Sequence, residues 1–394
     1  MKFKRVFVLV MDSVGIGGAE DAYKYDDEGS NTILHIAEEF GSIPLKNLEK
    51  LGLGKIIDIP GVKKDIETIG YYGRMKELSN GKDTMTGHWE MMGIKTTTPF
   101  VTFTDTGFPK ELIDLLEEKT GRKIIGNISA SGTEIIERLG EAQERDGSLI
   151  VYTSADSVLQ IAANENIIPL EELYNDCLIA RKITLKDEWR VGRIIARPFI
   201  KLDDGKYKRT TNRHDYALDP TERTTLNSLI DSGYKVISVG KIKDIFNGSG
   251  ISEGNHINSN HDGMLKTIEI VKNQEFEGLC FINLVDFDAL YGHRRDVKGY
   301  YNSLVEFDND LEGLLNALKD DDLLMITADH GNDPTWHGTD HTREDVPLLV
   351  YSKKFKESNS LGIRNTFADI GETISENFKL ERGKIGKSFL NELK

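Results

Sequence analysis

The sequence predicts an α/β protein with a largely parallel sheet, and two observations support that prediction. Apolar runs bounded by turn residues recur along the chain, rich in Val and Ile and without strict alternation. Such runs are typical of strands buried on both faces of a sheet. Helical patterns separate several of the runs, and strands that alternate with helices indicate parallel pairing. The runs span residues 5–11, 148–153, 234–239, 279–285, 323–327 and 347–351.

The clearest helical pattern lies between the fourth and fifth of these runs, over residues 300–318. Its apolar side chains recur at steps of three and four, from Leu304 through Phe307 and Leu311 to Leu318. This spacing places them on one face of a helix, which the sheet would cover. The sequence therefore predicts a long amphipathic helix packed against the core.

A second set of elements interrupts this pattern between about residues 99 and 216. Because sheet-like runs continue after it, we interpret this segment as a smaller α/β cap domain inserted into the core. The predicted domains are the core, residues 1–98 and 217–394, and the cap, residues 99–216. Within the cap we expect helices at 109–120, 132–139 and 169–185 and strands at 123–125 and 193–201.

The length and net charge of the chain limit the classes of protein to which it can belong. A chain of 394 residues exceeds the usual single hydrophobic core, which favours two domains. Asp and Glu number 65 against 50 Lys and Arg, and the net charge of −15 argues against a nucleic-acid or anionic-membrane binder. The 38% hydrophobic content indicates a soluble globular protein rather than a disordered one. Residues 181–216 of the cap are nevertheless basic, which suits either a solvated face or a phosphate clamp.

The two cysteines and the N-terminal apolar run indicate a cytoplasmic protein. Cys177 and Cys280 could form one disulfide at most, and no zinc-binding spacing occurs. The run at residues 6–11 is too short to cross a bilayer, and no small-residue cleavage site follows it. We therefore interpret it as a first buried strand and expect no membrane partner.

Carboxylates and imidazoles follow three of the predicted strands. Because the carboxyl ends of parallel strands share one edge of a sheet, these side chains are expected to converge there. Each alone suits an ordinary turn or helix cap. Together, oxygen and imidazole ligands without thiolates indicate Mn, Mg or Zn. Two such triads suit a two-metal site that binds the attacking and leaving oxygens during phosphoryl transfer. The candidates are Asp12, Asp286, Asp288, His293, Asp329, His330, His337 and His341.

Thr84 is the candidate nucleophile. It lies in a glycine-containing segment, residues 80–89, just before an apparent helix start, so it could instead be a simple N-cap. A threonine hydroxyl needs a base or a metal to react at neutral pH, and the predicted cluster would supply the metal. The Gly-x-Ser-x-Gly match at residues 250–254 does not directly follow a predicted strand, as a nucleophile elbow would, and this disfavours serine acyl chemistry. Glu20 replaces the third glycine of a dinucleotide fingerprint at residues 15–20, so we reject that motif.

Several long segments resemble the phosphopentomutase family. Residues 81–90 read Gly-Lys-Asp-Thr-Met-Thr-Gly-His-Trp-Glu, and the resemblance extends over essentially the whole chain. The other matching segments are 212–216 (Asn-Arg-His-Asp-Tyr), 285–288 (Val-Asp-Phe-Asp), 291–296 (Tyr-Gly-His-Arg-Arg-Asp), 329–333 (Asp-His-Gly-Asn-Asp) and 338–344 (Gly-Thr-Asp-His-Thr-Arg-Glu).

The resemblance implies an alkaline-phosphatase-like core with an inserted cap and two Mn²⁺ ions. It also implies priming by a sugar bisphosphate of the glucose 1,6-bisphosphate type. By motif, it selects Asp288 over Asp286 and His341 over His337. One ion would take Asp288, His293 and His341; the other would take Asp12, Asp329 and His330 with the Thr84 oxygen. The implied substrate contacts in the cap are Ser154, Asp156, Arg193, Ile195 and Arg209.

The implied reaction interconverts ribose 1-phosphate and ribose 5-phosphate, or the 2-deoxyribose pair. A phosphothreonine at Thr84 would give its phosphoryl group to the substrate and take the other one back from the pentose bisphosphate. A cofactor-independent phosphoglycerate mutase or a phosphatase would share the metal ligands, but the segment around Thr84 and the Arg-His-Asp-Tyr segment favour a pentomutase. A metal-dependent phosphosugar-binding protein is the alternative outside enzymes. The sequence leaves the oligomeric state open.

Overall fold

The computed structural model describes residues 2–154 and 157–394, and it contains two sheets with helices. Within these ranges the structure has fourteen strands, which are numbered in chain order. They are β1 Arg5–Met11, β2 Tyr71–Met75, β3 Ile124–Ser129, β4 Leu149–Thr153, β5 Val158–Asn164, β6 Arg193–Lys201, β7 Tyr207–Arg209, β8 His214–Ala217, β9 Lys235–Val239, β10 Glu253–Asn255, β11 Gly278–Leu284, β12 Asp322–Thr327, β13 Val346–Tyr351 and β14 Ser360–Arg364.

The α-helices are numbered in the same way, and most of them lie between strands. They are α1 Thr32–Glu39, α2 Lys46–Leu51, α3 Leu53–Ile56, α4 Thr84–Met91, α5 Lys110–Thr120, α6 Gly132–Asp146, α7 Leu170–Ile183, α8 Thr225–Asp231, α9 Ile242–Ile245, α10 Asn260–Asn273, α11 Val297–Ala317 and α12 Asp369–Phe378. None of the helices within the described ranges is long and apolar enough to cross a membrane.

The chain forms two compact units. The first comprises Met1–Thr97 and Pro220–Lys394, and the second comprises Thr98–Asp219. The second unit is thus an insertion between two parts of the first. The sequence-based boundaries at 99 and 216 differ from these by one and three residues (99 − 98 and 219 − 216).

Strand β1 lies in the middle of the eight-stranded sheet of the first unit, whose order is β10-β9-β11-β1-β12-β13-β2-β14. All seven of its residues are buried, as expected for an apolar run covered on both faces. It pairs in parallel with β11 on one side and with β12 on the other. The carboxyl ends of these three strands therefore meet at one edge of the sheet. β13 is antiparallel to both of its neighbours, β12 and β2.

The second unit contains a sheet in the order β3-β4-β5-β6-β7, and β8 also pairs with β6. One face of this sheet packs with residues of α5 and α7, and the other packs with residues of α6. Side chains alternate between the two faces along each strand, so Arg193 and Ile195 of β6 share one face. Arg209 of β7 lies opposite Phe199 of β6, so its side chain is on the same face as Arg193 and Ile195.

The predicted fold class is confirmed: the protein is mixed α/β with a largely parallel core sheet. The predicted strands agree with β1, β4, β9, β11, β12 and β13 to within a residue or two, and the predicted long helix is α11. Helix α6 continues to Asp146, seven residues beyond the predicted end (146 − 139). Ile135 and Ile136 of this helix are buried, but its later turns are mostly polar, so their helical periodicity was weak.

Asp176 in helix α7 is a buried carboxyl group that destabilises the second unit at neutral pH. Its side chain is 2% exposed, and its Oδ2 has no hydrogen-bond partner among the described residues. Burial raises the pKa of Asp176 to about 6, and the nearby carboxylate of Glu172 adds to this effect, while Arg122 opposes it. Because the folded pKa exceeds the unfolded value of about 3.9, stability is lost as the pH rises through about 6.

We expect Asp176→Asn to raise the free energy of unfolding by up to about 3 kcal/mol at pH 8, because the variant buries no charge. At pH 5 the gain should be about half as large, because the stability loss of the wild type accumulates between the unfolded pKa of about 3.9 and the folded pKa of about 6. Urea unfolding at the two pH values measures both gains. The exposed Asp204→Asn serves as the control and should change neither value. An equal gain from Asp176→Asn at both pH values would contradict the assignment.

Candidate metal centre

The carboxyl ends of β1, β11 and β12 bring together three carboxylates that the sequence predicted to converge at this edge of the sheet. Asp12 follows β1, Asp288 lies four residues after β11 (288 − 284), and Asp329 lies two residues after β12 (329 − 327). With three histidines they form two groups in which the ligand atoms lie within 4.8 Å of one another. The groups are Asp288, His293 and His341, and Asp12, Asp329 and His330.

Asp288 is the centre of the first group. It lies in a turn of π-helix, Phe287–Gly292, and its side chain is buried. Its Oδ2 lies 3.2 Å from Nε2 of His293, and its Oδ1 lies 3.4 Å from Nε2 of His341. His293 Nδ1 is 2.7 Å from the carbonyl oxygen of Thr339, to which it donates. That bond fixes the tautomer and leaves the Nε2 lone pair facing Asp288.

The second group is built in the same way around Asp329 and His330. Nε2 of His330 lies 3.3 Å from Oδ2 of Asp329 and 3.6 Å from Oδ1 of Asp12. Its Nδ1 donates to the carbonyl oxygen of Gly331 at 3.0 Å, so Nε2 again faces the carboxylates. The ring centroids of His330 and His341 lie 4.1 Å apart, so the two ligand groups are adjacent.

The electrostatics of the second group fit a bound cation. Burial raises the pKa of Asp12 well above its usual range, and the negative charges of Asp329 and Asp288 add to that shift. Burial alone would lower the pKa of His330, but Asp329 and Asp12 raise it to about 9. A protonated histidine therefore balances these carboxylates when no metal ion does. A divalent cation would release that proton, so metal affinity should increase with pH.

Buried atoms without partners also fit metal binding. Asp12 Oδ1, Asp329 Oδ2 and His341 Nε2 are all buried and, within the described part of the chain, make no hydrogen bond. Such atoms are costly in a folded protein unless a ligand satisfies them. Carboxylate oxygens and imidazole nitrogens without sulfur suit Mn²⁺ or Zn²⁺. The residues present therefore fit two divalent ions.

Thr84 lies beside the second group, with its Oγ1 3.2 Å from Nε2 of His330. It is the first residue of helix α4 and is partly exposed. The N-cap of this helix is Asp83, whose Oδ1 accepts from the backbone N–H of Thr86 at 3.1 Å. The capping role considered for Thr84 thus belongs to its neighbour, and the Thr84 hydroxyl is left facing the candidate ligands.

Sequence reasoning missed the residues that hold the carboxylates in place. Asn283 of β11 donates to Oδ2 of Asp12 at 2.8 Å, and the backbone N–H of Ser13 donates to Oδ1 of Asp329 at 3.0 Å. Ser13 has a φ of +68°, and its hydroxyl is 2.8 Å from that of Tyr300. A polar Asn within an otherwise apolar buried strand was the one signal that could have indicated the first of these contacts.

His88 of α4 is a further buried residue that sequence reasoning did not assign. Its Nδ1 lies 2.9 Å from the carbonyl oxygen of Thr84 and 3.2 Å from Oδ2 of Asp329. Its Nε2 accepts from Nδ2 of Asn283 at 3.3 Å. His88 therefore links the first turn of the nucleophile helix to the second ligand group.

Two buried charges hold the loop before Thr84. The carboxylate of Glu90 accepts from the backbone N–H groups of Leu78 and Ser79, at 2.9 and 2.6 Å. The guanidinium of Arg343 donates to the carbonyl oxygen of Gly81 at 2.6 Å and pairs with Glu77. These bonds limit the positions that the nucleophile loop can adopt.

The remaining candidates lie outside the two groups. Asp286 accepts from the backbone N–H of Asn260 at 2.7 Å, and the exposed His337 bonds to the carbonyl oxygen of Asp26 at 2.9 Å. Of the predicted substrate contacts, those described lie in the second unit, where the carbonyl oxygen of Ser154 accepts from Thr104. Arg193 and Ile195 begin β6 and Arg209 ends β7, whereas Asp156 lies outside the described residues.

Comparison with known proteins gives one family match. A family model described as the metalloenzyme superfamily matches residues 4–382. The PH0037 protein of Pyrococcus horikoshii is 13% identical over 98% of this chain and 100% of its own, with a TM-score of 0.49. A phosphoglycerate mutase of Leishmania mexicana, solved at low cobalt concentration, is 11% identical over 98% of this chain and 97% of its own, with a TM-score of 0.48.

A cofactor-independent phosphoglycerate mutase of Thermoplasma acidophilum is also similar. It is 12% identical over 94% of this chain and 99% of its own, with a TM-score of 0.38. Identities and TM-scores in this range carry no inference about the reaction.

Proposed function

The chain belongs to the metalloenzyme superfamily, and from that premise we propose that it is a phosphopentomutase. The observation that carries the proposal is the Thr84 hydroxyl, 3.2 Å from a histidine of one ligand group and next to a second group. This arrangement suits transfer of a phosphoryl group through an oxygen of the protein itself. The long sequence segments that resemble phosphopentomutases supply the substrate class.

Asp12, Asp329 and His330 would hold one divalent ion, and Asp288, His293 and His341 would hold the other. Bound there, the ions supply positive charge that offsets the phosphoryl oxygens and favours the oxyanion form of the Thr84 hydroxyl. Mn²⁺ is the ion that the family resemblance implies, and the ligand chemistry also suits Zn²⁺. Asn283 and the backbone of Ser13 keep Asp12 and Asp329 oriented, which reduces the reorganisation needed on binding.

The proposed reaction begins with a phosphoryl group on Thr84 Oγ1. The bond between Oγ1 and phosphorus breaks as a hydroxyl of the pentose monophosphate forms its own bond to phosphorus. Thr84 recovers a hydroxyl proton, and the sugar becomes a bisphosphate. Transfer of the other phosphoryl group back to Thr84 releases the isomer. The N-terminal turn of α4 adds a positive partial charge close to Oγ1 in both steps.

The fixed position of the nucleophile loop supports the same proposal. Glu90, Arg343 and the Asp83 cap each bond to backbone atoms within a few residues of Thr84. A group that must accept and return a phosphoryl group in one geometry benefits from such preorganisation. Arg193 and Arg209 of the second unit are the proposed contacts for the second phosphate, since guanidinium groups bind phosphate through paired hydrogen bonds.

The test incubates Mn²⁺-loaded protein with ribose 1-phosphate and a priming amount of glucose 1,6-bisphosphate. We expect ribose 5-phosphate to form without a matching release of inorganic phosphate. Release of phosphate without the isomer would indicate a phosphatase, and interconversion of phosphoglycerates in a parallel reaction would indicate a phosphoglycerate mutase. Either result would overturn the pentomutase assignment. No turnover with Mn²⁺ and primer would leave a phosphosugar-binding protein as the better proposal.

A further inference from the structure

We propose that Arg295 is a positioning residue that sets the geometry of the ligand group Asp288, His293 and His341. The inference rests on the proposed metal function but concerns a residue outside both ligand groups. Arg295 is partly buried and follows the π-helical turn that carries Asp288. Its guanidinium connects that turn to the loop that carries His341.

Arg295 makes five hydrogen bonds through its guanidinium, and four of the acceptors are backbone carbonyl oxygens. Nε donates to Gly338 at 2.7 Å, Nη1 donates to Gly292 at 2.9 Å, and Nη2 donates to His337 at 3.3 Å and Asp340 at 3.0 Å. A planar guanidinium has five N–H donors in a fixed arrangement, so this set uses the full capacity of the side chain.

Each ligand of the group is close to one of these bonds. The Gly292 carbonyl belongs to the residue before His293, and the Asp340 carbonyl belongs to the residue before His341. The fifth acceptor is Oδ1 of Asn332, at 2.5 Å, and the amide nitrogen of Asn332 donates to Oδ1 of Asp288 at 2.7 Å. One side chain therefore fixes the backbone next to both histidines and orients the carboxylate.

The backbone of Arg295 supports a role beyond packing. Its φ is +55°, in the left-handed region that residues other than glycine seldom adopt. A residue held there against its own preference indicates that the surrounding contacts require its side chain. The carboxylates of Asp333, Asp340 and Asp288 attract the guanidinium, so a variant that keeps the charge but loses the bond geometry is needed to separate the two contributions.

The test measures Mn²⁺ binding by equilibrium dialysis and calorimetry in Arg295→Met, with Arg294→Met as the matched control. Arg294 is the adjacent residue of the same type, and it is exposed. We expect wild-type protein and the control to bind two ions. In Arg295→Met one ion should bind with its wild-type affinity, and the other should bind about 10–100-fold more weakly. Arg295→Lys should resemble Arg295→Met, because a lysine keeps the charge but cannot reach the five acceptors.

Arg295→Gly separates positioning from folding, because glycine adopts the positive φ without strain. This variant should fold and should still lose affinity for one ion. Two ions bound with wild-type affinity by Arg295→Gly and Arg295→Met would overturn the inference. Equal weakening of both ions would also overturn it, since that indicates general loosening of the fold. The readout does not involve pentose phosphates, so failure of the pentomutase assay would leave this result intact.

Discussion

Replacing Thr84 with alanine should abolish phosphoryl exchange while leaving both metal ions bound. The substitution removes Oγ1, the only atom in the proposed mechanism that accepts and returns the phosphoryl group. We expect turnover to fall by at least about 10⁴-fold, as is usual when a covalent nucleophile is deleted. Formation of ribose 5-phosphate and Mn²⁺ stoichiometry, measured on the same preparation, test both parts of the expectation.

Thr84→Ser is the matched control, because it keeps a hydroxyl at the same position and loses only a methyl group. It should retain far more activity than Thr84→Ala, and its phosphorylated form should be detectable by mass. Helix α4 should form in both variants, since its cap is Asp83. Full mutase activity in Thr84→Ala would remove Thr84 from the mechanism, and loss of both ions in that variant would contradict the expectation that the other ligands hold them without its hydroxyl.

Replacing Asp12 with asparagine should have opposite effects on the metal-free and metal-loaded protein. Burial and the charges of Asp329 and Asp288 raise the pKa of Asp12 well above its usual range. A folded pKa above the unfolded one means that ionisation of Asp12 lowers stability as the pH rises through the folded pKa. Asparagine removes that charge, so the metal-free variant should melt at the same temperature as the wild type or higher at pH 8.

With Mn²⁺ bound, the wild type should melt at a higher temperature than Asp12→Asn. Binding of an ion at about 1,000 times its dissociation constant stabilises the wild-type fold by about 4 kcal/mol, and the variant lacks one carboxylate ligand. Its melting temperature should rise much less, and its turnover should fall by at least about a hundredfold. Thermal melts with EDTA and with Mn²⁺ measure the effect, with the exposed Asp58→Asn as the control. An equal Mn²⁺-dependent rise in Asp12→Asn and wild type would contradict a ligand role for Asp12.

The central strands of the eight-stranded sheet could be predicted because burial on both faces leaves continuous apolar runs in the sequence. In the second sheet β5 was missed although all of its residues are buried, because Gln160 and Asn164 interrupt its apolar run. The strand at Tyr71–Met75 was missed, since its residues alternate between buried and half-buried and include Arg74. The edge strand at Ser360–Arg364 was missed for a similar reason, because most of it is exposed, including Ile363. Strands near an edge of the sheet bury too little side-chain surface to leave a clear apolar pattern.

Helix α4 shows a second limit of sequence reasoning. Seven of its eight residues are buried, among them His88 and Glu90. An amphipathic pattern cannot arise in a helix that is buried on nearly every side, so only the glycines and the cap signalled its start. The roles of His88 and Glu90 depend on partners that are distant in the chain, such as Asp329 and Phe367.

The part of the candidate site that follows the ends of neighbouring parallel strands could be predicted from the sequence. Asp12, Asp288 and Asp329 lie close together because their strands are parallel neighbours. The choice of His341 rather than His337 depends on the path of a loop, and Arg295 and Asn332 hold that path through contacts that no local pattern encodes. Sequence resemblance, rather than spacing, selected the histidine that the structure places in the ligand group.

The most direct test of the account is a single turnover of protein that carries a phosphoryl group on Thr84. Mn²⁺-loaded protein that carries an ¹⁸O-labelled phosphoryl group on Thr84 is mixed with unlabelled ribose 5-phosphate, and the Thr84 peptide and the sugar are followed by mass spectrometry. We predict that the label leaves Thr84 for ribose 1,5-bisphosphate and ribose 1-phosphate, that Thr84 takes up unlabelled phosphoryl groups, and that no inorganic phosphate forms. Labelled inorganic phosphate in place of the labelled sugar phosphates, or a label that stays on Thr84, would contradict it.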